Sequence, residues 1–314
     1  MSAQRMPSLR WRRAVGADIP ALSSFLMAEE ESRVGFSGRL IREGPLSGPS
    51  LRLPSPLRGA VWLSDAGGNS GERLAAGNSF AGAILCHPSR LVFPILAGNH
   101  ELEGDRSFAL LCSSFSPASI IGMTKDVLRY ESALALTSRA SIDYRLMTRA
   151  QVGPPPLDLS ITAYPRSDTM PGLSIRRATV SDLDALTPLQ EAYEREEVLT
   201  PIHEFNPAAC RASLARAIER QLVFAAVEKG VIVGKAGTNA RGFRVDQIGG
   251  VYTLPARRGR GIAAALMAAL LADILRQGRK PSLFVKPTNA AALALYRGFG
   301  FEDIGDFRAD YFEV

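Results

Sequence analysis

The stretch Gln247-Ile-Gly-Gly-Val-Tyr-Thr-Leu-Pro-Ala-Arg-Arg-Gly-Arg-Gly-Ile-Ala-Ala264 decides how this 314-residue chain is read. It opens with β-favouring residues. Gly249 and Gly250 interrupt the strand, as residues at a bulge or a close backbone approach do. Pro255, which has no N–H to donate, ends it. Arg258-Gly-Arg-Gly-Ile-Ala263 then opens a run of Ala, Leu and Met, all strong helix formers. A helix N-terminus offers unpaired N–H groups and the positive end of the dipole. Gly259 and Gly261 let the backbone approach an anion, and Arg257, Arg258 and Arg260 add charge. Such a loop is suited to a diphosphate.

Gly259-Arg-Gly-Ile-Ala-Ala264 also fits the pattern G-x-G-x-x-A of dinucleotide-binding folds. That fingerprint wants its first Gly at a strand end and an acid about 20 residues on. Here Pro255 and four further residues separate Thr253 from Gly259, and the next strand ends in Lys286. No GxxxxGK[ST] sequence occurs, which excludes a P-loop.

Two motifs resemble those of the GNAT superfamily of acetyltransferases. The first is Gln/Arg-x-x-Gly-x-Gly/Ala after a strand ending near Val-x-Pro. It stands here as Arg258, Gly261 and Ala263 after Thr253-Leu254-Pro255. The second is Asn-x-x-Ala-x-x-x-Tyr followed by Gly-Phe. It stands here as Asn289, Ala292, Tyr296, Gly300 and Phe301. The resemblance implies an α/β (α+β) fold with a mixed central sheet flanked by helices, and acetyl-CoA as cosubstrate. It implies a cofactor-binding set of Val251, Tyr252, Thr253, Arg258, Gly259, Arg260, Gly261, Ile262, Ala263 and Asn289. The implied reaction is direct transfer from the thioester to an amine, without an acyl-enzyme. Backbone N–H groups near Val251 to Thr253 are then the expected oxyanion donors, and Tyr296 the general acid. Each residue also has a plain structural role open to it: Tyr296 as a core aromatic, Asn289 as a helix N-cap. Lys235 and Asn239 fall on an expected strand, where a solvated face is the simpler placement.

The general base is a gap. Many relatives carry a Glu eight residues before the proline, where this chain has Gln247. Asp246 would point to the opposite face of a regular strand. Glu196, Glu197, His203 and Glu204 lie in or after the first helix of this half, where the acceptor site is expected.

Residues 12–22 (RRAVGADIPAL) and 176–186 (RRATVSDLDAL) share six of eleven positions. In the second half, helices are expected at 183–198, 207–220, 261–277 and 289–298. Strands are expected at 222–228, 231–240, 245–254, 282–286 and from 300. The first half shows a similar order: strands near 59–64, 80–86, 91–97, 118–122 and 142–148, helices at 105–115 and 124–137. Residues 35–58, rich in Gly, Pro, Ser and Arg, read as a loop. Two GNAT-like domains follow, 1–165 without a CoA motif and 170–314 catalytic, with a Pro-rich linker around 151–156 and 165–171. At the place of the Arg/Gly loop the first half has Gly98 to Asp105, which carries Glu101, Glu103 and Asp105. Those charges would repel a diphosphate.

Bulk properties agree. Net charge is +6, with 17 Lys and Arg against 14 Asp and Glu in residues 1–165 and 20 against 17 in the rest. This even balance suits an anionic ligand better than nucleic acid. Cys86, Cys112 and Cys210 are odd in number and widely spaced, which speaks against a metal site or disulfide framework and for a reducing compartment. No apolar run approaches the ~18 residues of a membrane span, so a cytoplasmic protein is expected. The acceptor could be a small-molecule amine, an amino acid or a protein N-terminus, with the first leading. A non-catalytic acyl-CoA sensor and an aminoacyl-tRNA-dependent transferase of the Fem type are the competing classes. Oligomeric state is not legible.

Overall fold

The two copies of the repeat fold alike. In a computed structural model that describes residues 11–41, 61–65, 80–96, 102, 106–113, 115–149 and 171–312, Arg12 and Asp18 form a two-pronged ion pair, both contacts at 2.8 Å. Arg176 and Asp182 do the same at 2.7 and 2.6 Å. Each aspartate also accepts the N–H three residues before it, from Val15 or Thr179, at 2.8 Å. Each is followed by a helix that starts with the same backbone angles, φ −55° and ψ −46°. The repeat therefore encodes one device twice: a strand locked to a helix start by an Arg–Asp fork.

The element order repeats too. The first copy runs β1 (Trp11–Arg13), α1 (Ile19–Met27), α2 (Glu30–Ile41), β2 (Val61–Asp65), β3 (Phe80–Cys86), β4 (Leu91–Leu96), α3 (Arg106–Ser113), β5 (Ser119–Met123), α4 (Thr124–Ala133) and β6 (Ala140–Arg149). The second runs β7 (Leu173–Arg177), α5 (Leu183–Tyr193), α6 (Pro207–Arg220), β8 (Val223–Glu228), β9 (Val231–Arg241), β10 (Val245–Thr253), α7 (Ile262–Arg276), β11 (Lys280–Val285), α8 (Ala290–Gly298) and β12 (Phe301–Tyr311). The expected loop at 35–58 is corrected at its start. Residues 35–41 continue α2, because Val34, Phe36 and Leu40 bury one face of it; the rest of that stretch lies outside the described residues.

The chain packs as two compact units, Met1–Tyr144 with Gly305–Val314, and Arg145–Ile304. The division inferred from the Pro-rich linker falls at 165–170, outside the described residues, and the packing divides the chain differently. In the first unit the sheet order is β1-β2-β3-β4-β5, completed by the end of β12, with Phe307 to Tyr311 antiparallel to Met123 to Ser119. In the second it is β7-β8-β9-β10-β11, completed by the end of β6, with Arg145 to Thr148 antiparallel to Val285 to Ser282. Each sheet has one parallel pair, β4–β5 and β10–β11. Both are mixed sheets with helices against them.

In the second unit, Leu266, Leu270 and Ile274 recur along one stripe of α7 and pack with Ala226, Val233, Ile248 and Leu283 from the sheet. Burying each such side chain contributes about 1.5–3 kcal/mol. On the other side Leu186, Leu189, Leu214 and Ile218 of α5 and α6 pack with Val223, Ala225 and Ile232. No helix among the described residues is long and apolar enough to cross a membrane.

Candidate active site

The site assembles where β10 leaves β11. The parallel pair runs from Val245↔Lys280 to Ile248↔Leu283 and stops, while β10 continues to Thr253. On its other edge β10 jumps in register against β9, from Gly249↔Gly237 to Tyr252↔Lys235. Gly250 and Val251 thus face Ala236 alone, which is a β-bulge. Gly250 has φ +63°, a conformation other residues rarely adopt.

After Pro255 to Arg257 form a single tight turn, the loop reaches α7 through Gly259 at φ +75° and Gly261 at φ +79°. Both glycines are left-handed, so the sequence put them where the backbone needs them. Gly261 is the N-cap of fifteen-residue α7 and carries no side chain there. Ile262 is buried in the core and anchors the first turn.

The loop arginines are all engaged by acids. Arg258 reaches Glu196 at 2.8 Å and donates from Nε to the Thr253 carbonyl at 3.1 Å. Its guanidinium also lies 5.2 Å from the Tyr252 ring centroid. The Tyr252 hydroxyl donates to the other oxygen of Glu196 at 2.6 Å. Those two hydrogen bonds hold the Glu196 carboxyl below its ordinary range. Glu228, at the end of β8, pairs with Arg257 at 2.7 Å and Arg260 at 2.6 Å.

Asn289 caps α8 by accepting from the Ala292 N–H at 3.0 Å, and its amide donates to Glu197 at 3.3 Å. Glu197 also faces Lys286 at 3.4 Å. The expected helix 183–198 in fact ends at Tyr193 and continues as a π turn, Glu194–Val198. Such turns recur at functional sites; this one sends Glu196 to the arginine loop and Glu197 to Asn289.

Tyr296 is buried, its ring tilted against Phe301 with centroids 6.1 Å apart. Burial, with lesser contributions from Tyr193 and Glu197, pushes its phenol well above the ordinary range, so it stays protonated. Tyr193 is likewise raised by burial, to about 12, against a hydrogen bond from the Gly250 backbone.

Lys235 is not on a solvated face. It is 4% exposed and donates to the Gly250 carbonyl at 2.9 Å, because α5 and α6 cover this face of the sheet. Asn239, two turns of the pleat further on, is exposed. Asp246 is fully buried and held by Arg241 at 3.1 and 3.2 Å and by Arg279 at 2.8 Å, so its carboxylate is spoken for. Gln247 is half-buried. His203 is bound to Thr200 at 2.6 Å, and Glu204 is exposed.

The profile of the Acetyltransferase (GNAT) family matches residues 185–301. Those residues are a GNAT domain. It is an acyltransferase domain, and its family supports acyl-CoA-dependent acetyl transfer in general. A search of functionally curated proteins gives no match. Solved structures with the same fold include a GCN5-related N-acetyltransferase from Sphaerobacter thermophilus, with TM-score 0.54 and 20% identity over 96% of this chain and 94% of that one. A Drosophila protein aligns with TM-score 0.60 and 12% identity over 96% and 98%. A GNAT-family acetyltransferase from Colwellia psychrerythraea aligns with TM-score 0.53 and 11% identity over 98% and 100%. At these identities the likeness establishes the fold. The GNAT domain carries the Arg/Gly loop, the bulge and Tyr296; among the described residues of the first unit, β4 pairs with β3 in unbroken register from Gly82↔Leu96 to Cys86↔Val92.

Proposed function

We propose that the GNAT domain binds acetyl-CoA across residues 257–264 and transfers the acetyl group directly to a primary amine of a small-molecule acceptor. The observation that carries this is the pair of left-handed glycines, Gly259 and Gly261, at the start of α7, beside the gap that opens beyond Ile248↔Leu283. The helix N-terminus supplies N–H donors for the diphosphate. Residues 251–253 lie along the opened strand, where their backbone can meet the thioester, and Asn289 stands at the head of α8, within reach of a pantetheine arm.

An amine nitrogen attacks the thioester carbon, the carbon–sulfur bond breaks, and the amine sheds one proton while the departing sulfur gains one. Tyr296, kept protonated by burial, suits the second transfer. Glu197 suits the first: its charge acts on both Tyr193 and Tyr296, and its contacts to Asn289 and Lys286, at 3.3 and 3.4 Å, are longer than the 2.6 and 2.8 Å at which Tyr252 and Arg258 hold Glu196.

The test is calorimetry with acetyl-CoA, followed by CoA thiol release across a broad amine panel. Gly261→Glu puts a side chain and a negative charge where the diphosphate would lie, and should abolish binding in a protein that remains folded. Equal affinity in parent and variant would remove the loop from the site.

A further inference from the structure

The structure assigns Lys235 a positioning role in this transfer: its ammonium holds the Gly250 carbonyl at the β10 bulge and thereby orients the Val251 N–H as the donor to the thioester oxygen, given acetyl-CoA in the site proposed above.

A lysine in the middle of β9 needs a reason. Residues Ile232 to Thr238 are all buried, and burying an ammonium is unfavourable unless it is hydrogen-bonded. Its partner is a backbone oxygen, not a carboxylate: Nζ to Gly250 O is 2.9 Å. The ammonium also lies 4.7 Å from the Tyr193 ring centroid. Tyr193 in turn accepts a hydrogen bond from the Gly250 backbone. Two side chains from different elements therefore grip a single glycine, the one with φ +63°. A β-carbon at this position would sit 2.9 Å from Nζ, so glycine and lysine fit each other.

What the grip accomplishes follows from peptide geometry. Gly250 and Val251 form the bulge, and their peptide is trans, as all described peptides are. In a trans peptide the N–H points opposite to the C=O. Holding the Gly250 oxygen toward Lys235 turns the Val251 N–H away from Lys235. Hydrogen bonding to the oxygen also polarises that peptide and makes its N–H a stronger donor. An ammonium does this better than a neutral group.

The surroundings are accounted for. Tyr193 of α5, Glu194 of the π turn, Cys210 of α6 and the Gly250 carbonyl of β10 face the ammonium. Burial lowers Lys235 to about 8, and Glu194 opposes that shift. Burial pushes the Cys210 thiol up to about 12, so it remains neutral.

The experiment compares Lys235→Met, Lys235→Gln and the parent. The first readout needs no acceptor: the carbonyl band of bound acetyl-CoA, carbon-13-labelled at the carbonyl, in isotope-edited infrared spectra. The parent should shift the band to lower frequency, Lys235→Met should lose most of the shift, and Lys235→Gln should fall between. The second readout is turnover with an amine from the panel. Lys235→Met should lower kcat about 10–10²-fold, below the ~10²–10³-fold cost of losing a direct oxyanion donor, with KM for acetyl-CoA within about twofold. The kcat of the parent should also fall above about pH 8, a limb that Lys235→Met lacks. An unchanged carbonyl band in a variant that binds acetyl-CoA, or a loss confined to KM, overturns the assignment. Failure of the parent to bind acetyl-CoA at all overturns the site proposal first, and this one with it.

Discussion

Tyr296 is a buried core aromatic and, in the reaction we propose, the acid that serves the departing sulfur, and single-atom surgery separates the two roles. Tyr296→Phe keeps the ring against Phe301. It should cost about 10²–10⁴-fold in kcat while acetyl-CoA affinity, read by calorimetry, changes little. An unchanged chemical step would leave Tyr296 as packing. Acids in the first unit make a second residue-scale prediction. Burial raises Asp126 from 3.8 to about 6 and Glu131 from 4.5 to about 7, the latter helped by Asp310. Among the described residues, Oδ1 of Asp126 and Oε1 of Glu131 find no hydrogen-bond partner. A raised carboxyl binds its proton more tightly folded than unfolded. Its contribution is fully present below the unfolded value and is lost as pH rises through the folded one. Denaturant midpoints should therefore decline between about pH 4 and 7, and Asp126→Asn with Glu131→Gln should flatten that decline. A midpoint that rises over this range in the parent would contradict the assignment.

Among elements, the loop between β10 and α7 is set by its neighbours as much as by its own residues. Sequence placed Gly259 and Gly261 at the helix start, because a left-handed turn into a helix is a local requirement. It could not tell that Glu228, some thirty residues earlier, would meet Arg257 and Arg260. With Arg257 and Arg260 paired to Glu228, the helix N–H groups, rather than free guanidiniums, are the foremost anion donors of the loop. Glu228→Gln should release the two arginines, tighten acetyl-CoA binding several-fold at low salt and steepen its salt dependence. Isothermal titration at two ionic strengths checks both. An affinity that weakens would mean Glu228 positions the arginines usefully instead of competing for them. The π turn after α5 was equally illegible: the sequence put its carboxylates near an expected acceptor site without showing their partners, which are Tyr252, Arg258 and Asn289.

For the whole molecule, two copies of one fold differ in what they retain. The first unit keeps the Arg–Asp fork and the parallel pair, but β4 has neither the bulge nor a glycine pair, and Pro94 stands within it. The acidic stretch at Gly98 to Asp105 lies, Leu102 apart, outside the described residues. Titration of the intact chain should give one acetyl-CoA per chain, and a stoichiometry of two would defeat the idea of a degenerate copy. The C-terminal strand offers a further test. Phe307 and Ala309 are buried, and β12 is antiparallel to β5 there. Deleting residues 305–314 should lower the melting temperature of the first unit, whereas acetyl-CoA binding in the second is expected to survive. A melt indistinguishable from the parent would show that this strand contributes nothing to the first unit's stability.

The sequence by itself determined what depends on near neighbours in the chain. Helices and strands follow from apolar periodicity, the turns from Gly and Pro, and the repeat from six shared residues whose Arg–Asp fork closes over six positions. The Arg/Gly loop and the Asn289–Tyr296 spacing belong to the same class, since each sits within a turn or a helix. Tertiary structure decided what depends on distant partners. Lys235 looks like any strand lysine until α5 and α6 cover it. Its place amid the apolar run Val231 to Gly237 was the one available signal. The end of β12 alternates apolar and polar residues and the end of β6 is buried throughout, but neither pattern records which edge a strand will pair with. That choice is made by the hydrogen-bonding groups left open on β11 and β5, which no local pattern reveals.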